Sequence, residues 1–198
     1  MNGADFILAS GSPRRSQLLQ QIGAAFAVAP ANVPEQVLAD EMPRDYVTRL
    51  ALAKAQAGFD AQRESRLPVL GSDTAVVHGG RILGKPRDQQ DAVDTLMSLS
   101  NSCHQVLSGI AMVDGQHSVT RYVETSVHFR TLNKQQCQRY WETGEPMDKA
   151  GSYGIQGLAA VFVERIEGSY SNVVGLPLAE TADLLAEFGI EVWRDVQR

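Results

Sequence analysis

The stretch from Asp5 to Gly23 constrains this chain most, because a buried strand runs straight into the start of a helix there. Asp5 to Ala9 has the apolar run of a short strand. Ser12 then suits an N-cap, Pro13 suits the first helical residue, Leu18, Leu19 and Ile22 make one apolar face, and Gly23 ends the helix. Yet the first turn carries Arg14 and Arg15. Cations at the positive end of a helix dipole are unfavourable by about 0.3–1 kcal/mol each. Free backbone N–H groups, the hydroxyls of Ser10 and Ser12 and two guanidiniums at one helix start are what a phosphate chain needs. A capped helix with two solvated arginines is the alternative that local physics leaves open.

A chain of 198 residues is long enough to bury a core in one domain, or in one domain with two lobes. Its net charge of −5 argues against broad nucleic-acid binding, which needs a basic surface. A local basic pocket in an acidic whole points instead to an anionic small molecule. Cys103 and Cys137 stand in no metal-ligand or redox spacing and read as reduced thiols. His78, His104, His117 and His128 are scattered along strand-like segments and read as structural rather than as a zinc site. No leader pattern precedes the first strand and no apolar run approaches membrane-spanning length, so the cytoplasm is the expected compartment.

Short strands at Phe26 to Ala29 and Leu67 to Leu70 alternate with a helix expected from Pro43 to Ala57, stopped by Gly58. Ala75 to His78 and Arg81 to Leu83 form a hairpin about Gly79-Gly80. Asp88 to Leu99 is an amphipathic helix, and two long strands, His104 to Val113 and Ser118 to Arg130, meet at Asp114-Gly115. A helix at Lys134 to Thr143, an element at Ala159 to Ile166 and a last helix from Leu178 to Phe188 complete the pattern. Long hairpins mixed with strand–helix units predict an α/β fold with a mixed sheet. Neither a P-loop nor a dinucleotide fingerprint occurs.

Charged or amide side chains recur at the expected element ends: Glu35, Lys54 on an alanine-rich helix, Gly71-Ser72-Asp73-Thr74, Leu83-Gly84-Lys85-Pro86, and Asp148 to Gly157. Singly, Lys54 reads as a solvated lysine, Asp73 as a turn residue and Lys85 as a loop charge. Together they offer carboxylates for a divalent cation or a base, and cations for phosphates.

The segments LASGSPRR, RLALAKA, GSDT, LGKPRD, GEPMDKAGSYGIQG and GSYSNVVGLPL run through nearly the whole chain. In their order and spacing the chain resembles the Maf family of nucleoside triphosphate pyrophosphatases. It is most similar to the branch that hydrolyses dTTP and UTP to the monophosphate and pyrophosphate. A sister branch acting on 7-methyl-GTP differs at the positions of Arg14, Thr74 and Gln156.

The resemblance implies an elongated mixed sheet with flanking helices, two lobes around a central cleft, and a homodimer. Asp73 is implied as proton acceptor, with Lys54, Lys85 and Glu35 also catalytic. Ser10, Ser12, Arg14 and Arg15 would bind phosphate, and Glu35 and Asp73 would lie near a magnesium or manganese ion. Arg14, Thr74 and Gln156 are implied to set the base. The amide of Gln156 can both donate to and accept from the imide edge of uracil or thymine, and Thr74 is small and neutral. The family often has an acidic residue just before the position of Glu35; here it is Pro34, which removes a second carboxylate. The same chemistry on another nucleotide is one alternative. A nucleotide-responsive regulator of cell division, a role associated with the family beside nucleotide-pool sanitation, is another.

Overall fold

Phe6, Ile7 and Leu8 are fully or almost fully buried and form β1 (Phe6–Leu8), the strand expected from the apolar run after Asp5. The computed structural model describes residues 3–62 and 66–193. After β1 the chain continues through α1 (Pro13–Gln21), β2 (Phe26–Val28), α2 (Pro43–Asp60), β3 (Val69–His78), β4 (Arg81–Leu83) and α3 (Gln89–Leu99). The long strands β5 (Cys103–Val113) and β6 (Ser118–Phe129) come next, then α4 (Lys134–Glu142), β7 (Val163–Glu167), α5 (Tyr170–Val174) and α6 (Leu178–Glu187). One seven-stranded mixed sheet results, in the order β2-β1-β3-β5-β6-β7, with β4 paired to β3. β1 pairs in parallel with β2 and β3, whereas the β3–β4 and β6–β7 pairs are antiparallel. The structure is thus α/β with an open mixed sheet, as expected.

The chain divides into two compact units. The first comprises residues 1–74, 108–123 and 175–198, the second 75–107 and 124–174. In the first, Ile7, Ala9, Ala51, Ala55, Phe59, Val69, Ala111 and Val113 form a core of helix against sheet. In the second, Leu96, Leu99, Val106, Val127, Phe129, Tyr140, Tyr153 and Phe162 pack together, with Phe129, Tyr153, Phe162 and Tyr140 meeting edge to face.

Two local expectations are corrected, and two further elements become defined. Gly58 does not stop α2, which continues to Asp60; it is a packing glycine inside the helix, where a Cβ would come 2.9 Å from a Val69 methyl and 3.1 Å from Ala9. Gly71-Ser72-Asp73-Thr74 is not a turn after a strand but the middle of β3. The element at Ala159 to Ile166 is a 3-10 helix, Leu158–Phe162, before it becomes β7. The five-residue α5 was missed, as its stretch lacks a full apolar repeat. Ser12 does occupy the N-cap of α1, but its side chain makes no capping bond, and its N–H donates to Ser10 Oγ at 3.3 Å instead.

Candidate active site

The buried stripe of α2 runs through Val47, Leu50, Ala51, Lys54, Ala55 and Gly58, spaced three and four apart. Lys54 therefore belongs to the core-facing side of its helix, not to a solvated one, and only 8% of it is exposed. A cation at such a place must be paired. The pairing follows from a close approach of α2 to β3. At Gly71 a Cβ would lie 2.2 Å from the Ala51 carbonyl oxygen and 2.6 Å from the Ala55 nitrogen, so only glycine lets the helix settle so near. Asp73 is two residues on and shares that face of the strand. Its Oδ1 accepts from Lys54 Nζ at 2.7 Å, with a tenth of each side chain exposed. Gly109 on β5 repeats the device: a Cβ there would meet the Val47 carbonyl oxygen at 2.3 Å.

Glu35 closes the group. Its Oε1 lies 2.6 Å from Lys54 Nζ, although 58% of its side chain is exposed. The irregular segment that carries it is held to α2 by the Tyr46 hydroxyl, which donates to the Glu35 carbonyl at 3.0 Å. Arg49 adds a bond from Nη2 to the Gln36 carbonyl at 3.1 Å and a forked pair with Glu41. Arg49 opens the RLALAKA segment, but only the tertiary structure gives it this holding role. Tyr46 shows the field of the site: burial first, then the Asp73 and Glu35 charges, push its hydroxyl up to about 12.

Thr74, one residue beyond Asp73, faces the other way, toward Arg15. The Arg15 guanidinium donates to the Gly175 carbonyl at 2.9 Å, to Ser10 Oγ at 3.0 Å and to Thr74 Oγ1 at 3.2 Å. Three of its N–H groups are thus occupied within the protein, and it is no free cation at a helix start. Thr74 Oγ1 also lies 3.3 Å from the Gly175 carbonyl and 2.8 Å from Ser108 Oγ. A hydroxyl has one proton, so when Thr74 donates to Gly175, Ser108 is the donor of its pair. Ser108, fully buried, is a site residue that carried no recognisable sequence signal.

Asp73 is the electrostatic centre. Burial raises its carboxyl above the ordinary carboxylate range, and the Lys54 charge and hydrogen bond and the Arg15 charge only partly offset this. Burial likewise lowers the Arg15 guanidinium, opposed by the Asp73 charge. Among the described residues no group of three or more His, Cys, Asp or Glu side chains is placed to hold a metal ion. Asp73 and Glu35, both on Lys54, supply two hard oxygen donors, and magnesium typically needs only one or two carboxylates when phosphates complete its shell. The donor set fits such an ion. A cavity of about 460 Å³ beside Ser16, Gln20 and Phe26 has no charged lining residue and is no catalytic site.

Of the expected site residues, the first unit thus gathers Ser10, Arg15, Glu35, Lys54, Asp73 and Thr74, with Ser12 and half-buried Arg14 at the start of α1. Lys85 and Gln156 belong to the second unit, where both are exposed. His104 is buried against Tyr153, consistent with a structural role.

An α/β sheet that buries a carboxylate–lysine pair beside an arginine fork defines a protein equipped for acid–base work next to anions. The chain belongs to the Maf-like protein family, whose pattern matches residues 5–188. It is 52% identical over 190 residues to the dTTP/UTP pyrophosphatase of Hahella chejuensis, covering 96% of this chain and 94% of that one. The dTTP/UTP pyrophosphatase of Saccharophagus degradans is 49% identical over 197 residues, 98% of this chain and 94% of that one. That of Shigella dysenteriae serotype 1 is 50% identical over 181 residues, 91% of each. No helix among the described residues is long and apolar enough to cross a membrane.

Proposed function

We propose that this protein hydrolyses dTTP and UTP to the monophosphate and pyrophosphate. The observation that carries the chemistry is Asp73, buried, with a raised pKa, bonded to Lys54 and close to the charges of Arg15 and Glu35. The likeness at about half identity over nearly the whole chain to proteins of that name carries the substrate.

A carboxylate made more basic by burial accepts a proton from the attacking water more readily. Lys54 keeps that carboxylate and Glu35 oriented while the proton moves. Arg14, Ser10, Ser12 and the first N–H groups of α1 hold the phosphates, and Arg15 fixes Ser10 and Thr74 in place. Lys85 adds charge toward the triphosphate. Arg14, Thr74 and Gln156 set the base, the amide of Gln156 matching the imide edge of uracil or thymine. Glu35 and Asp73 would hold a magnesium or manganese ion, which when bound supplies positive charge to the phosphate oxygens. A homodimer and a cytoplasmic location complete the proposal, with pool sanitation as the cellular service.

The test is a panel of purine and pyrimidine triphosphates, assayed with magnesium or manganese, with pyrophosphate and phosphate detected separately. Pyrophosphate from dTTP and UTP, abolished by a chelator, is expected. Release of the terminal phosphate alone, or equal turnover with the metal removed, overturns the assignment. Light scattering on the purified protein tests the dimer.

A further inference from the structure

One carboxylate in the second unit is aimed at the turn that carries Gln156. Glu145 opens the 3-10 turn Glu145–Asp148, yet its Oε2 accepts the N–H of Leu158 at 2.9 Å. Its Oε1 accepts the Tyr140 hydroxyl at 2.7 Å and the N–H of Ala159 at 3.4 Å. Tyr140 passes the hold backward, its oxygen accepting the N–H of Gly154 at 3.3 Å. Gly154 to Gly157, closed by a bond from Gly157 N–H to the Gly154 carbonyl at 3.1 Å, is thereby tied on its far flank to Glu145 and on its near flank to Tyr140, which itself bonds Glu145.

Packing tells the same story. A Cβ on Gly157 would lie 2.3 Å from Glu145 Oε2 and 2.5 Å from Oε1, so the carboxylate fills the space that any larger residue would occupy. Lys149 Nζ donates to the Glu145 carbonyl at 2.8 Å, and its stem lies against Gly154. Just upstream, Gly151 and Ser152 both take positive φ, 69° and 61°, a conformation that a serine holds only when its surroundings impose it. Every polar partner of the Glu145 carboxylate named here is a donor. An ionised carboxylate is acceptor-only and suits them all, whereas an amide would turn its own N–H₂ toward one of them.

We propose that the Glu145 carboxylate, acting with the Tyr140 hydroxyl, is a positioning device that holds the Gln156 turn in one conformation and so sets the choice of base. The proposal rests on the reading of Gln156 as the base-contacting residue. A hydrogen-bonding side chain discriminates only if it is held in place before the base arrives, and Gln156, exposed on a turn bounded by two glycines, needs that hold from outside the turn.

The experiment compares kcat and KM for UTP and GTP in the wild type, Glu145→Gln, Tyr140→Phe, Gln156→Ala and the double variants pairing Gln156→Ala with each. Glu145→Gln is expected to raise KM for UTP about five- to tenfold, to leave kcat within about twofold, and to narrow the UTP-to-GTP ratio of kcat/KM. Tyr140→Phe moves the ratio the same way by less, and because it keeps the bonds from Glu145 to Leu158 and Ala159, it carries the comparison should Glu145→Gln fail to fold. In the Gln156→Ala background neither substitution should narrow the ratio further. Equal losses on UTP and GTP, or an effect that adds in full to that of Gln156→Ala, make Glu145 merely structural and overturn the proposal. If Gln156→Ala itself leaves the ratio at its wild-type value, the reading of Gln156 fails and this proposal falls with it. That pattern is distinct from one in which Gln156→Ala moves the ratio and Glu145→Gln does not.

Discussion

Lys54 Nζ stands 2.7 Å from Asp73 Oδ1, an ion pair between a helix and a strand that are both buried at the point of contact. The same ammonium reaches Glu35, so one cation balances two carboxylates. Removing it, as in Lys54→Met, leaves Asp73 buried without its main partner and raises its carboxyl further. The acid limb of the kcat/KM profile should move to higher pH, with turnover at neutral pH reduced. A pH–rate profile of the folded variant checks this; an unmoved limb would detach Lys54 from Asp73.

Asp73→Asn should reduce pyrophosphate release by about 10²–10⁴-fold, because asparagine has nearly the same shape but accepts no proton from water. Stability should change little at neutral pH. The Asp73 carboxyl is raised above its ordinary value of 3.8 in the folded protein, so what it adds to stability is present below that value and is lost as pH rises through the folded one. Replacing it therefore forfeits little there beyond the bond to Lys54. Turnover within a few-fold of wild type in a folded Asn variant would remove Asp73 from the chemistry.

Arg14 and Arg15, adjacent in sequence, should separate. Arg15→Ala breaks bonds to Ser10, Thr74 and Gly175 and should lower the melting temperature as well as activity. Arg14→Ala should slow the reaction with little loss of stability, and Lys85→Ala the same. Paired melting curves and rates decide it, and equal melting losses for Arg14 and Arg15 would contradict the division.

Gly71→Ala pushes a methyl group into the backbone of α2 at Ala51 and Ala55. Overpacking of this kind costs about 1–3 kcal/mol, and here it also draws Lys54 away from Asp73. Urea unfolding should show the loss and kcat should fall with it. A variant as stable and active as the wild type would mean that the helix can shift freely.

His104 is buried in the second unit with Nε2 2.8 Å from the Tyr153 hydroxyl; burial, helped by the His78 and His128 charges, lowers it from 6.5 to about 3. It is neutral when folded and charges when unfolded, so stability should fall as pH drops below about 6.5, by about 1.4 kcal/mol per unit toward the folded value. Unfolding free energies at neutral pH and near pH 5 should differ by about 2 kcal/mol more in the wild type than in His104→Gln. Identical pH dependence in the two proteins would show that another group is responsible.

Much of this was legible in the chain. The apolar run before Ser10 became β1, Pro13 opened α1, and the amphipathic stretch ending at Leu99 became α3, because these depend on periodicity and on neighbouring residues. The site residues could be named one by one through the resemblance of ordered motifs. Their local readings were less secure. Lys54 on an alanine-rich helix read as solvated, and Asp73 after an apolar strand read as a turn.

Those two questions were decided by packing. Gly71 looks like a chain breaker until α2 lies across it; then the missing Cβ is what admits the helix, and Asp73 and Lys54 meet as a consequence. Ser108 joined the site, and Glu145 took hold of the turn at Gln156, for the same reason. Sequence alone determined most of the elements, their order and the chemical groups at hand, since short-range propensities are written residue by residue. Tertiary structure decided which groups are buried and paired, because loss of water and the approach of a distant charge depend on neighbours that the chain brings together only by folding.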